Sequence, residues 1–283
     1  MKLVEFFSDV ADDIAPLFQH ESLDTSSELE TYLASLWRPL VLLKDFLKTS
    51  IIPNLPESIE TGVPVPRTMA LLPDGSYTYK FEVINGDTTK GLMKILIDGK
   101  EVSGASLLYA GSIFMDRDVQ IGKSVVVEPG ALIKGPTIIK DNTEIRQGAY
   151  IRGWCLIGSR CVVGHTTEVK HSIFLDGAKA GHFAYIGDSI LGADVNLGAG
   201  TKLANLPFAS KTILVPIKES AVNSKKIKHL DTKLRKLGAI LGDRVQTGCN
   251  SVTNPGVLLG PESLVTPTCS VYPGYYPRHS VIK

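Results

Sequence analysis

A single histidine stands among glycines and aliphatic residues in the stretch KAGHFAYIGDSILGADVNLGAG, from Lys179 to Gly200. This residue is His182, and an imidazole is the side chain best suited to general acid–base chemistry near neutral pH. Tyr185 follows it by three positions, and the amides of Asn196 and Asn205 follow in the next turns of the repeat described below. We therefore take His182 as a candidate catalytic base; the alternative is a structural histidine.

Two cations are spaced so that they could hold a phosphate. Arg152 and Lys170 are 18 residues apart, which is one full coil of the repeat predicted below. An arginine offers a planar fork of donors and a lysine offers a point charge, so the pair suits a phosphate group. The alternative is a surface ion pair between one of them and Glu168 or Glu144.

Histidines and cysteines supply the remaining candidate ligands. A zinc site made by His165, His171 and His182 is a rival use of these residues. His171 lies six positions from His165, which predicts a different face of the fold, so we expect no metal site. Cys155 and Cys161 occupy small, inward positions of the repeat and are predicted to be buried and inert.

Two further residues are candidate cofactor contacts. Cys249 does not fit the inward pattern, and Lys236 belongs to a basic run that could contact the phosphates of a large cofactor. The default alternative for such a run is a solvated arm. Its cations are Lys225, Lys226, Lys228, Lys233, Arg235 and Lys236.

A six-residue period predicts the elements that position these side chains. Aliphatic residues recur every six positions from Ile121 to Leu175, and a small or β-branched residue follows most of them by four positions. This period is typical of a hexapeptide β-helix, in which three hexads close one triangular coil. The blocks resume at Leu191 and again at Leu241. We predict a mainly β fold, a left-handed parallel β-helix, in which residues 18 apart stack about 4.8 Å from each other.

The regular spacing breaks near His182. Leu175 and Leu191 are 16 residues apart instead of 18. Counting by 18 places His182 one coil beyond Gly164. A local departure from regularity is expected at a functional site, so the break favours a functional His182.

The N-terminal region does not follow the six-residue period. Residues 1–50 are predicted to be helical, with Thr25 and Glu28 in a capping-box pattern, and residues 67–105 are predicted to form hairpins. We expect an α+β region over residues 1–108, followed by the β-helix over residues 109–283 with an inserted arm at residues 205–240.

Composition narrows the classes of function. The chain has 283 residues, is 43% hydrophobic and 21% charged, and carries a formal net charge of +1. This balance is ordinary for a globular protein and favours neither nucleic-acid nor membrane-surface binding. The sequence has no apolar run of membrane-spanning length and no secretory signal pattern at its start, so we expect a cytoplasmic protein.

The repeat region also resembles a known family. The stretch IRQGAYIRGWCLIGSRCVVGHTTEVKHSIFLDGAKAGHFAYIGDSILGADVNLGAGTKLANL resembles the acetyltransferase half of the bifunctional N-acetylglucosamine-1-phosphate uridylyltransferase/glucosamine-1-phosphate N-acetyltransferase family. The block RKLGAILGD after the arm resembles the archaeal-type sugar-1-phosphate nucleotidylyltransferases. The resemblance covers residues 110–275.

This resemblance implies a homotrimer of left-handed β-helices that transfers acetyl from acetyl-CoA to the amine of a hexosamine 1-phosphate. It places the family's general base on His182. It places the substrate contacts on Arg152, Lys170, Tyr185, Asn196, Asn205 and Lys211.

The chain departs from the family pattern in three places, one of which is Leu214, where the archaeal type often carries a second lysine. The sequence after Asn205 reads LPFASK, without the acid that the family carries there. Residues 1–105 contain no Gly-rich AGGxGxR loop, so we do not expect nucleotidyl transfer. The acetyltransferase hypothesis has two alternatives. The first is a non-catalytic protein that binds a sugar phosphate or nucleotide sugar or serves as a scaffold. The second is an acyltransferase with another acceptor.

Overall fold

The computed structural model describes residues 6–8, 10–18, 28–84, 86–208, 212–218 and 227–283. Its main body is a three-sided prism of short parallel strands, in which the chain visits three sheets in turn and then starts the next coil. We call these sheets I, II and III in the order that the chain visits them. The mainly β, parallel β-helix fold is therefore confirmed, and its left-handed sense is the one that the hexapeptide period predicts.

The elements have the following bounds. The helices are α1 (Ala15–Phe18) and α2 (Glu28–Ser50), with a 3₁₀ turn at Thr88–Lys90. Sheet I holds β1 (Met69–Leu71), β2 (Tyr77–Thr78), β6 (Ser106–Leu108), β9 (Val126–Val127), β12 (Glu144–Ile145), β15 (Val162–His165), β18 (Lys179–His182), β21 (Asn196–Leu197), β26 (Gln246–Thr247), β29 (Leu264–Val265) and β32 (Val281–Ile282). Sheet II holds β7 (Ile113–Phe114), β10 (Leu132–Lys134), β13 (Tyr150–Arg152), β16 (Glu168–Lys170), β19 (Tyr185–Gly187), β22 (Lys202–Leu203), β27 (Val252–Thr253) and β30 (Ser270–Val271). Sheet III holds β8 (Val119–Ile121), β11 (Thr137–Ile139), β14 (Cys155–Ile157), β17 (Ile173–Phe174), β20 (Ile190–Leu191), β25 (Ala239–Leu241), β28 (Val257–Leu259) and β31 (Gly274–Tyr276). Outside the prism lie the small sheet β3 (Glu82–Ile84), β4 (Lys94–Ile97) and β5 (Lys100–Glu101), and the hairpin β23 (Leu214–Lys218) and β24 (Ile227–Asp231).

The aliphatic residue of each hexad fills the prism. Ile133, Ile151 and Val169 stack on successive coils of sheet II and are fully buried. The small inward positions are buried as well, including Cys155 and Cys161. Removing these side chains from water is the main force that closes each coil, since two- and three-residue strands gain little alone.

The break in the rhythm lies earlier than the sequence suggested. Phe174, rather than Leu175, pairs with Ile157 and joins the prism core. Leu175 is buried instead in the cluster outside sheet III. The prediction that Leu175 points inward was therefore wrong, because two adjacent buried apolar residues give the same periodic signal. The lost residue lies between Val169 and Phe174, at the corner from sheet II to sheet III.

A second shortening follows one coil later at the same corner, between Ile186 and Leu191. Because of the first shortening, the register of sheet I pairs His182 with His165. The expectation that His182 lies one coil beyond Gly164 was therefore wrong by one residue.

Helix α2 covers the outside of sheet III. Its leucines, including Leu36, Leu40 and Leu43, form one buried cluster with outward residues of sheet III such as Leu156 and Ile190. This packing explains why the helix is apolar over so much of its circumference. Among the described residues, no helix is long and apolar enough to cross a membrane.

The segment before the first coil closes that end of the prism. Leu55, Ile59 and Val65 are buried with the prism core, which keeps the first layer of the core away from water. Strand β1 pairs antiparallel with β6 and so continues sheet I beyond the first coil. Sheet I holds strands from both sides of residue 108, such as β6 and β9. The division into residues 1–108 and 109–283 stays a prediction.

The inserted arm is an antiparallel hairpin of β23 and β24. Ile213, Val215 and Ile217 are buried in the same cluster as α2, so at this hairpin the arm is packed rather than solvated. Thr25 of the predicted capping box lies outside the described residues.

The packing of α2 is testable with one buried and one exposed residue of the same helix. Leu43→Ala is expected to lower the free energy of unfolding by about 2–5 kcal/mol, because it leaves a cavity against sheet III. Val41→Ala, at a position 53% exposed, is the matched control and should change it by about 0.5 kcal/mol or less. Urea unfolding followed by circular dichroism measures both, and equal midpoints would contradict the packing.

Candidate active site

His182 ends strand β18 on sheet I and is exposed to solvent. Its register partner on the previous coil is His165, whose Nδ1 lies 3.0 Å from the carbonyl oxygen of Gln147. Within the described part of the chain, the ring of His182 has no hydrogen-bond partner of its own. A free, exposed imidazole can exchange protons with a ligand.

A close backbone approach lies beside the two histidines. A Cβ on Gly164 would lie 1.8 Å from the carbonyl oxygen of Gly181, so only glycine fits between β15 and β18. The two strands are four residues long, whereas the next strand of this sheet, β21, has two. The extension carries His165 and His182 to the corner between sheets I and II.

A groove of about 640 Å³ runs along sheet I from His182. Asn196 and Cys249 line it on the following coils, and both are exposed. Asp87 and Thr89, which flank the start of the 3₁₀ turn, line it from the N-terminal region. The groove therefore joins the candidate base to the predicted cofactor residue Cys249.

Sheet II carries the cations. Arg152 and Lys170 lie on neighbouring strands whose register is fixed by the pairing of Ile151 with Val169. Arg152 Nη1 donates a hydrogen bond to Glu168 Oε1 at 2.7 Å, and this bond raises the pKa of the guanidinium above its usual value. The alternative ion pair with Glu168 is therefore present, and a ligand phosphate would compete with Glu168 for Arg152.

Lys170 lies close to a third cation, Lys236, near the end of the arm. Partial burial lowers the pKa of Lys170, the nearby charges of Lys236 and Arg152 lower it further, and Asp188 acts in the opposite direction. Three cations facing two carboxylates, Glu168 and Asp188, leave a local excess of positive charge. Such a cluster favours an anionic ligand.

A chain of hydrogen bonds leads away from Tyr185 on the same sheet. Tyr185 Oη donates to Asn205 Oδ1 at 3.3 Å, and Asn205 Nδ2 donates to Asp188 Oδ2 at 2.5 Å. The other oxygen of Asp188 lies 2.7 Å from His171 Nδ1. Burial raises the pKa of the Tyr185 hydroxyl, and the carboxylates of Glu168 and Asp188 raise it further.

The structure divides the predicted site residues between two adjacent sheets. His182, Asn196 and Cys249 share the groove on sheet I, while the substrate candidates Arg152, Lys170, Tyr185 and Asn205 lie on sheet II or at its end. Lys236, predicted with Cys249 as a cofactor contact, lies instead beside Lys170. The two ends of the arm meet where the Leu237 N–H donates to the carbonyl oxygen of Asn205, and spacing within the arm could not reveal that return. Lys211 lies outside the described residues.

The three histidines do not converge. His165 and His182 are register partners, while His171 lies at another corner against Asp188. Within the described residues no three histidine, cysteine or acidic side chains come together as a metal site.

Sequence reasoning missed Asp188 and did not connect His171 with the candidate site. The signal was present as the five-residue spacings from Val169 to Phe174 and from Ile186 to Leu191. His171 and Asp188 lie within these two spacings, but the count from Leu175 to Leu191 had placed the irregularity at His182.

Comparisons with known proteins agree with the family resemblance that the sequence motifs indicate. Residues 133–252, less than half of the chain, match a family model described as "GMPPB C-terminal domain". Over 105 residues the chain is 43% identical to "Bifunctional protein GlmU" of Methanococcus maripaludis strain C7. The aligned stretch covers 37% of this chain and 23% of that protein. Over 100 residues it is 41% identical to "Bifunctional sugar-1-phosphate nucleotidylyltransferase/acetyltransferase" of Sulfurisphaera tokodaii, which covers 35% and 23% respectively.

The chain thus spans about a quarter of the length of these curated relatives. The matches confirm that the repeat region resembles these bifunctional proteins. Among solved structures, the chain is similar to "UDP-N-acetylglucosamine acyltransferase from Campylobacter jejuni", at 17% identity and a TM-score of 0.29, covering 62% of this chain and 68% of that one.

The accessibility of the cysteines tests the site geometry without an activity assay. Cys249 is exposed, whereas Cys155 and Cys161 are fully buried; burial raises the pKa of the Cys155 thiol to about 12 and raises that of Cys161 as well. An aromatic disulfide reagent should therefore modify Cys249 first in the native protein, and Cys155 and Cys161 only after unfolding. Cys269 is partly buried and should react more slowly than Cys249. Cys249→Ser should remove the fast phase, and a fast phase that persists when Cys269→Ser is combined with it would contradict the placement of Cys249.

Proposed function

We propose that the protein is an acetyl-CoA-dependent N-acetyltransferase that acts on an amino-sugar phosphate and works as a homotrimer. The observation that carries the proposal is a free imidazole, His182, in a groove beside a sheet with an excess of cations. The names of the curated relatives, which include a bifunctional sugar-1-phosphate nucleotidylyltransferase/acetyltransferase, support the same class of reaction.

Counted from the neutral amine, the reaction removes one proton from the acceptor. The amine of the sugar attacks the thioester carbonyl carbon, the carbon–sulfur bond breaks, and the CoA thiolate leaves. His182 accepts the proton that the nitrogen loses and can return it to the thiolate, so atoms and charge balance. No covalent intermediate on the protein is needed, because the thioester is already activated.

The acceptor's phosphate would bind to the cations of sheet II. Arg152 supplies two parallel donors, while Lys170 and Lys236 supply point charges. We assign Lys236 to the acceptor rather than to the acyl donor because its ammonium lies beside Lys170. A phosphate here would relieve the repulsion between the two lysines and orient the amine.

The acyl donor would lie in the groove of sheet I. Cys249 and Asn196 line this groove beyond His182, so a thioester placed there would have the imidazole at one end. The Asn196 amide is suited to donate a hydrogen bond to the carbonyl oxygen as negative charge develops on it.

A second copy of the chain would bring the two halves of the site together. Sheet III is covered by α2, and the small sheet of β3, β4 and β5 covers the first coils of sheet I. The later coils of sheet I and the face of sheet II are therefore left for neighbours. Apolar side chains are exposed along these faces: Phe183, next to His182, is 52% exposed, and Leu206 is 52% exposed. Phe208 is fully exposed beside an apolar groove of about 540 Å³ next to the arm. Exposed apolar surface of this kind favours a subunit interface, and three prisms in a closed ring would set sheet I of one against sheet II of the next.

The catalytic hypothesis is tested by release of the CoA thiol from acetyl-CoA with glucosamine 1-phosphate as acceptor. His182→Ala should lower kcat by about 10²–10⁴-fold, because the step loses its general base. His165→Ala, one coil away on the same sheet, is the matched control and should keep most of the activity. Unchanged turnover in the His182 variant would exclude the base role, and thiol release with other amino sugars only would point to a different acceptor. Acceptor binding without any thiol release would instead favour a binding protein.

The shared site is tested by mixing two inactive variants. In a trimer that combines His182→Ala and Lys170→Ala chains, some clefts receive an intact His182 from one chain and an intact Lys170 from another. Random assembly in equal amounts gives such clefts at about one in four, so co-expression should restore about a quarter of the wild-type activity. Absence of recovery in mixed trimers of confirmed size would place the whole site within one chain.

A further inference from the structure

The hydrogen-bond chain from Tyr185 to His171 has a fixed direction. Asp188 is an ionised carboxylate: although burial alone would raise its pKa, the hydrogen bonds from His171 and Asn205 hold the pKa below its usual value. A carboxylate can only accept hydrogen bonds. The Asn205 group facing Asp188 must therefore be the amide NH₂, and the Asn205 carbonyl must face Tyr185.

This direction decides which part of the Tyr185 hydroxyl is left for a ligand. The Tyr185 proton is used toward Asn205 Oδ1, so the outward lone pairs of the oxygen remain as acceptors. Tyr185 would then recognise a group that donates a hydrogen bond, such as the hydroxyl or ammonium of an amino sugar. A ligand that offers only acceptors at this point would not satisfy it.

The surroundings hold the chain in this arrangement. Asp188 and Asn205 are 6% and 8% exposed, so water competes little for their hydrogen bonds. A Cβ on Gly187 would lie 2.6 Å from Asn205 Nδ2 and 2.7 Å from Tyr185 Oη, so glycine is required beneath them.

The corner itself is strained, and its strain falls on the same residues. His171 and Asp188 have φ angles of 44° and 47°, in the left-handed region that residues other than glycine adopt at a cost. Both lie where the two successive coils are one residue short. The shortened corners place His171 and Asp188 in the hydrogen-bond chain, and His171 Nδ1 donates its hydrogen to Asp188.

We propose that His171 and Asp188 are positioning residues that fix the direction of this hydrogen-bond chain, so that Tyr185 presents an acceptor to a donor group of the amino sugar. The proposal rests on the proposed function for the role of Tyr185 as a substrate contact. It assigns neither His171 nor Asp188 to the reacting atoms. His171 Nε2 is buried and has no partner within the described residues, so its contact with the chain is through Nδ1 alone.

A double-mutant cycle separates this role from a merely structural one. His171→Leu removes the donor to Asp188, and we expect the KM for glucosamine 1-phosphate to rise about tenfold, with the KM for acetyl-CoA changed less than about twofold. In a Tyr185→Phe background the hydroxyl is gone, so His171→Leu should have almost no further effect on the acceptor KM. Equal effects of His171→Leu in both backgrounds would overturn the proposal.

Two controls address folding and side-chain chemistry. His171→Asn keeps a donor and tolerates a positive φ, so its acceptor KM should stay within about threefold of the wild type. Arg160→Leu changes another corner residue, at a φ of 56°, whose guanidinium pairs with Asp176 on the next coil. This variant reports the cost of altering a corner away from the site and should leave the acceptor KM unchanged.

A measurement without any substrate keeps the proposal testable if acetyl transfer itself is absent. The side-chain NH₂ protons of Asn205, identified in NMR spectra by their loss in Asn205→Asp, should exchange slowly with water in the wild type and about tenfold or more faster in Asp188→Asn and in His171→Leu. Unchanged exchange in both folded variants would show that the direction is not set by these residues. Altered exchange without acetyl transfer would refute the proposed function and leave the hydrogen-bond chain standing.

Discussion

Parallel pairing between successive coils is the constraint on which the rest of this structure depends. Each coil hydrogen-bonds to the next in register, so side chains one coil apart are held at the inter-strand spacing of about 4.8 Å. Arg152 and Lys170 are neighbours for this reason, and so are His165 and His182. Because this backbone pairing is rigid, side chains of like charge stay close together although they repel each other. Short strands in a flexible sheet could not hold them at this spacing.

The corner from sheet II to sheet III shows how a small change in that ladder alters the local chemistry. One residue fewer in each of two coils brings His171 and Asp188 together at this corner on successive coils. Asp188 then lies between a hydrogen-bonded network and Lys170, where it partly offsets the repulsion from Lys236 and Arg152. The balance is local, because each of these side chains is within one or two coils of the others.

Much of the fold followed from the sequence, because a buried prism demands an apolar residue at every sixth position and residues such as Ile133 and Ile151 meet that demand. The same rule failed at Phe174 and Leu175, since both are apolar and both are buried, one inside the prism and the other under α2. For the candidate site, stacking by 18 brought together Arg152 and Lys170. It could not bring in Lys236, because the arm returns to sheet II by a path that no period describes, and it could not connect His171 with Asp188 once the count had slipped by one.

The cover that α2 forms over sheet III also has a consequence for biosynthesis. The helix leaves the ribosome long before Leu156, Ile190 and Leu258, the residues that bury its leucine stripe. Until those coils exist, a long apolar surface is exposed on the nascent chain, and contacts so distant in sequence form slowly. Production of this protein in cells should therefore depend strongly on chaperones that shield early helices, and truncation within the later coils should convert a well-behaved chain into an aggregating one.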